Sequence, residues 1–485
     1  MHNAAAVSCD QIRIRINMKN TIFRSAFVAI LGLAVYSCKD DSNDPAPVKT
    51  NSDTTVVLQG NLSTMTLVDT VKYLLKGYVF VQSGQTLTIP AGTVIFGDKA
   101  SKGTLVINKG GKLIAEGTAA KPIIFTSKFG AGERDKGDWG GIIILGSANV
   151  NQNNPAIEGV SPAVNFGTQN STANDSENSG ILRYVRIEFA GIALSPNNEI
   201  NGLTMGGVGS GTIIENVQIS YSGDDAFEWF GGTVNAKNIV ALGTWDDDFD
   251  TDFGYTGKVQ FALSVRDPFS ADQSGSNSFE SDNDASGTTA LPKTAPVFSN
   301  VTVFGPRFDS TSSVSGNYQH AAHLRRNTAT SIFNSVITGF PIGLRIDGKT
   351  TYDNYSAGLG EVKNNLIISL GNRAAPKPFN GGTNLVDDSV KNYYLAGNPA
   401  GFVAFTNQLN YSTLGIDVTL YNGKTPAYPA NPNFAVPTGV ISSGANFTFS
   451  KLGSSFFTNV GFHGAFGATD WTNDWSNFDP KSAQY

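Results

Sequence analysis

Cysteine is nearly absent from this chain: of 485 residues only Cys9 and Cys38 carry a thiol, and both precede the region where strand-like patterning begins. A disulfide framework and a cysteine-based metal site are therefore excluded for the folded body. Charge is sparse too. Asp, Glu, Lys and Arg make up 15% of the chain, the formal net charge is −6 and no basic stripe occurs, which sets nucleic acid aside as a partner. Histidine appears four times. His320 and His323 would face opposite ways on a strand and lack a third zinc ligand nearby, so they read as loop or edge residues. No nucleophile context for Ser-His-Asp catalysis is recognisable, and no phosphate-cradling glycine loop precedes a helix. Long apolar runs are missing as well: Ala26 to Tyr36 is compact but too short to span a bilayer.

Glycine, by contrast, is abundant at 53 residues, and 40% of the chain is apolar throughout its length, which argues against disorder. From Tyr78 to Ser127 short β-branched runs alternate with turn glycines, as in Leu87-Thr88-Ile89-Pro90, Val94-Ile95-Phe96 and Leu105-Val106-Ile107. Strands this close together, without helical periodicity, predict an all-β solenoid of coils wound on a common core. Asn216, Asn238, Asn300, Asn334 and Asn365 recur inside such strands and are expected to form an asparagine ladder at a coil corner.

Two markers set the coil length. Asp224-Asp225-x-Phe227-Glu228 and Asp246-Asp247-x-Phe249-Asp250 are 22 residues apart, and so are Asn216 and Asn238. Phe279-Glu280, Leu324-Arg325 and Leu344-Arg345 repeat the apolar-charged phrase. Stacked as rungs about 4.8 Å apart, Glu228, Asp250, Glu280, Arg325 and Arg345 would form one outward column, with 305–319 extruded as a loop between Glu280 and Arg325. Glu228, Asp250, Asp252, Glu280 and Asp282 offer the hard oxygens that calcium accepts. A solvated acidic face is the first alternative. Charge pairing is the second, with Glu280 beside Arg325 and Arg345 diagonal to Asp347. Trp245 and Tyr255, beside Asp246 and Asp247, could stack on a ligand. Asp470-Trp471-x-x-Asp474-Trp475 is expected to help close the end of the solenoid, with sugar stacking as the alternative.

Gly84-Gln85-Thr86-Leu87-Thr88-Ile89-Pro90-Ala91-Gly92-Thr93, Lys112-Leu113-Ile114-Ala115-Glu116-Gly117-Thr118 and Trp139-Gly140-Gly141-Ile142 resemble the coils of right-handed parallel β-helix proteins secreted by Bacteroidetes-type bacteria. The fold implied is a right-handed parallel β-helix with an irregular C-terminal cap. The arrangement is similar in kind to pectate lyases and polygalacturonases. The lyase resemblance implies calcium on the carboxylates with Arg325 or Arg345 as base; the hydrolase resemblance implies acid–base work by Asp224 and Asp225 in Gly223-Asp224-Asp225. Neither motif set is complete.

Met18-Lys19-Asn20-Thr21-Ile22-Phe23-Arg24 followed by the Ala26–Tyr36 run reads as a secretory signal starting at Met18. Val35-Tyr36-Ser37-Cys38 resembles a bacterial lipoprotein signal, and Lys39-Asp40-Asp41 resembles the acidic tag that sends such lipoproteins to the outer face. The expected organisation is an extension and signal over 1–38, a tether over 39–54, a β-helix over 55–373, and coils, loops and cap over 374–485. The expected protein is a monomer anchored in the outer membrane through Cys38, facing the exterior. Its expected role is to bind an extended polymer, a polysaccharide, along one face. A calcium-dependent lyase or a hydrolase is the second reading, and a structural or adhesive protein the third. Labelled fatty acid fed to expressing cells should enter the full chain, and Cys38→Ser should abolish the label.

Overall fold

The computed structural model describes residues 55–169, 172–195, 198–309, 311–369, 377–398, 411–422 and 428–485. The expected signal, Cys38 and the tether lie outside the described residues. The chain winds into a right-handed parallel β-helix in which 25 described strands join one hydrogen-bonded system. Three sheets form its sides. Sheet I stacks Ile123–Ser127, the second half of Gly180–Glu188, and then the second halves of Ile213–Ser220, Asn235–Leu242, Lys258–Val265 and Val297–Phe304. Sheet II uses the first halves of the same long strands. Sheet III stacks Leu203–Val208, Phe227–Gly232, Phe249–Asp252, Phe279–Ser281, His320–Leu324, Ile342–Ile346 and Lys377–Asn380.

One residue per coil bends the chain from sheet II into sheet I. Asn216, Asn238, Asn300, Asn334 and Asn364 sit there at φ between 52° and 58°, a left-handed conformation that asparagine tolerates better than most side chains. The ladder position in the last coil is thus Asn364, not Asn365. Asn365 is buried, and its amide donates to the carbonyl of Ile332 at 2.7 Å. Tyr184 and Phe261 fill the same corner in other coils, at φ 51° and 61°.

Inward side chains stack coil on coil. Phe227, Phe249 and Phe279 follow one another with ring centroids 6.1 and 5.3 Å apart. Tyr255 belongs to this interior and is not a ligand platform. It is 0% exposed, stacks on Trp229 at 5.4 Å and donates its hydroxyl proton to the carbonyl of Val234. After Asp252 the chain turns, with the N–H of Tyr255 closing on the Asp252 carbonyl, and the Tyr255 ring enters the core.

The coils continue past residue 373, since Lys377–Asn380 pairs with Ile342–Ile346. The last rung is closed by a helix, α1 (Asp387–Gly397), not by the tryptophan segment. Val390 and Tyr394 of α1 enter the core, and the Tyr394 hydroxyl donates to the carbonyl of Asn365. Residues 428–485 instead form a strap over the outer sides of sheets I and II: Phe434, Phe466, Trp475 and Phe478 cover Leu242, Val265, Phe304 and Val336, and Leu452 and Phe457 cover Val297 and Phe333. Trp475 is 1% exposed and packs here.

Side-chain amides hold the strap by imitating a strand edge. Gln218 both donates to and accepts from the backbone of Asn477; Gln260 does so with Thr458, and Asn334 with Asn446. Gln260→Ala would take both of these hydrogen bonds from the backbone of Thr458, which is itself exposed. It should lower stability by about 1–3 kcal/mol, read as a drop in the thermal midpoint with strap cleavage under limited proteolysis.

Candidate functional site

Sheet III presents two different outer surfaces. Over its early coils, Thr104–Ile107 and Gly141–Leu145 below Leu203–Val208, a lid made by residues 146–169 with Ile192 and Ile200 lays Val150, Ile157, Phe166 and Ile200 against Val106, Ile143 and Leu145, so that face is covered. Beyond this lid the outward column reads Thr204, Glu228, Asp250, Glu280, His323, Arg345 and Asn380. Arg325 is displaced from the expected column. Phe279 pairs with Ala322, not Leu324, so His323 is the rung after Glu280, and Arg325 follows two residues on, beside Asp282. A two-residue slip keeps every side chain on its own face, which is why the apolar-charged pattern did not reveal it.

A second ladder runs along the turn that enters sheet III. The Oδ1 of Asn201 accepts the N–H of Asp225, Asp225 accepts that of Asp247 at 2.8 Å, Asp247 that of Asn277, and Asn277 that of His320. Asparagines occupy the ends and their amide nitrogens neutralise nearby acids: Asn201 donates to Glu228, and Asn277 to Glu280 at 3.1 Å. Aspartates occupy the middle and, when ionised, have no proton to give. Among the described residues no donor reaches the second oxygen of Asp225, which is 7% exposed, or the carboxylate of Asp250.

Oxygens of Asp225, Glu228 and Asp250 lie within 4.8 Å of one another, as do those of Asp247, Asp250 and Glu280, and of Asp224, Asp225 and Asp246. One oxygen of Asp246 is buried without a partner. Of the residues expected to hold a metal, Asp250 thus meets Glu228 in one group and Glu280 in another, and no group holds all three. Asp252 and Asp282 join none of these groups: Asp252 accepts the N–H of Phe253, and Asp282 is held by Arg325 and Arg326. Asp225 and Asp247 take their place. Trp245 sits at the margin, its indole donating to Asp272 and its ring already carrying Lys136 at 3.9 Å.

Burial pushes Asp225, Glu228 and Asp250 well above the usual carboxylate range, and their acidic neighbours add to it. Asp247 is raised to about 7, by burial first and Glu280 second. The acid acting most on Glu228 is Glu158, which also acts on Asp224 together with Glu199. Both come from the lid, in a segment with no coil repeat to flag them.

The other half of the column is compensated. Arg325 bridges Glu280 and Asp282, Arg326 also meets Asp282, and Arg345 meets Asp347 at 2.9 Å. His320 and His323 are buried with ring centroids 4.4 Å apart, contrary to the opposite faces expected of them. Ala321 and Ala322 both turn into the core, which breaks the alternation between the histidines. His320 is lowered to about 2 by burial and by His323 beside it. His323 stands between Glu280 and Asp347; burial opposes its charge, but the two carboxylates raise its pKa. Beyond it opens a cleft of about 480 Å³ lined by His323, Arg325, Arg326, Asp347, Lys349 and Thr383.

The raised carboxylates make a pH prediction. Each holds its proton more tightly folded than unfolded, so its stabilising contribution is full at low pH and is lost as pH rises, for Asp247 between its ordinary 3.8 and about 7. In chelator the thermal midpoint should fall across that window, and calcium should restore it at neutral pH. A midpoint indifferent to pH there would contradict the crowding of these acids.

A family model described as a pectate-lyase like beta helix domain matches residues 60–401. No curated protein and no solved structure matches the chain.

Proposed function

From the premise that this chain belongs to the pectate-lyase-like β-helix family, we propose that it binds an acidic polysaccharide along the outer face of sheet III, with calcium held by Asp225, Glu228 and Asp250. The observation that carries this reading is the replacement of asparagine by aspartate in the turn ladder at two neighbouring coils, where Asp250 and one oxygen of Asp225 meet no donor among the described residues. Such oxygens on flexible spacing suit calcium, which takes six to eight of them and leaves positions for a ligand's own carboxylates. The cleft past His323 extends the same face with Arg326 and Lys349, both partly open to solvent. An extended polymer can span both.

Binding is favoured over cleavage by the state of the arginines. A general base must shed a proton near the working pH. Arg325 is fixed by two carboxylates that hold its pKa above the usual arginine value against the opposing effect of burial, and Arg345 is paired with Asp347. Asp225, expected as a hydrolase acid, spends one oxygen in the turn ladder. Anchoring of a monomer through Cys38, facing outward from the outer membrane, belongs to the same proposal: a tethered coil presents its face to polymers outside the cell.

Calorimetric titration with polygalacturonate is expected to show calcium-dependent binding that chelator abolishes. Asp250→Asn should weaken it at least about tenfold while the thermal midpoint in chelator rises. Equal binding with and without calcium would remove the metal from the reading. Growth of the ultraviolet absorbance of an unsaturated product would replace binding with lyase chemistry.

A further inference from the structure

Behind the acidic turn, on the inner side of the coil, lies a charge that the outer column does not use. Arg266 follows the strand Lys258–Val265 and is fully buried, as is Asp248. One guanidinium nitrogen donates to Asp248 at 2.8 Å, whose other oxygen accepts the Ser264 hydroxyl. The same nitrogen reaches the carbonyl of Asn277 at 3.3 Å, and the other terminal nitrogen donates to the carbonyl of Asp246 at 2.7 Å. The ring of Tyr318 packs on the guanidinium with its centroid 5.1 Å away.

The direction of these bonds matters. The carbonyl of Asp246 and the N–H of Asp247 belong to one planar peptide. Its oxygen takes the Arg266 proton on the inside; its N–H goes outward to Oδ1 of Asp225. Fixing the carbonyl fixes the N–H, and the N–H fixes which oxygen of Asp225 is left over for a ligand. The bond to Asn277 holds a different peptide, Asn277–Ser278, whose N–H goes to the carbonyl of His320 in the next coil. A buried ion pair that only filled space could be replaced by apolar side chains without loss. This one ends on the Asp246–Asp247 peptide, whose N–H aims the carboxylate of Asp225.

We infer that Arg266, held by Asp248, is a positioning residue for the cation site on sheet III, acting through the Asp246–Asp247 peptide on Asp225. The inference rests on the calcium reading above. Removing Arg266 alone would strand a buried Asp248, so the test uses the paired replacement Arg266→Met with Asp248→Leu, alongside Arg266→Lys, which keeps the charge but not the fork that spans both carbonyls. Calcium affinity is measured by calorimetry on the full chain, with circular dichroism and the thermal midpoint in chelator as controls on the fold.

The expected result is a folded double variant whose calcium affinity falls about tenfold or more, and an Arg266→Lys variant that also loses affinity at an unchanged midpoint. Wild-type calcium affinity in either folded variant overturns the positioning role while leaving the calcium reading intact. A wild-type chain that takes no calcium overturns both.

Discussion

In-register parallel pairing is the constraint on which everything else here depends. Once Phe227 faces Phe249 and Phe249 faces Phe279, every outward residue is set about 4.8 Å from its counterpart, whether the two attract or repel. Apolar counterparts gain by this inside the coil, where aromatic rings stack. Outside, the same geometry forces Glu228, Asp250 and Glu280 into a row, and the protein must deal with the repulsion.

It does so differently at the two ends of the row. Toward the C-terminal coils the acids meet arginines and a histidine, so Glu280, Asp282 and Asp347 are each paired. Toward the N-terminal coils an asparagine donates to Glu228. Between these ends Asp225 and Asp250 receive no such help among the described residues, and the lid brings Glu158 and Glu199 closer still. Natural sequences seldom keep buried like charges together without a compensating partner. The uncompensated stretch is two coils long, and that confines the place where an external cation has most to offer.

Much of this was legible in the sequence, for physical reasons that also explain the failures. The 22-residue offset between the Asp-Asp-x-Phe phrases held because two markers, an acid pair and a corner asparagine, repeat together. The rung at His323 was hidden because its inward neighbour is Ala322, where the pattern invites a large apolar residue, and Leu324 two positions on supplied a false match. Asn277 escaped notice because it stands where the two preceding coils carry aspartates, and its equivalence appears only through the shared N–H bond. Tyr255 was misplaced since a turn, not strand alternation, decides where it points. The closing segment was the least legible: apolar residues spaced irregularly among prolines show that something is covered, but not which face.

The strap changes how such a coil can come apart. A solenoid whose coils touch only their neighbours frays from either end, each coil leaving at little expense to the rest. Here Asn446, Thr458 and Asn477 are tied to Asn334, Gln260 and Gln218, so the order along the strap runs opposite to the order of the coils. The docking track exists only when coils distant from one another are already stacked in register. Loss of any one coil in that span must therefore interrupt the track for the others, and a structure with nearest-neighbour contacts acquires the all-or-none behaviour of a globular domain.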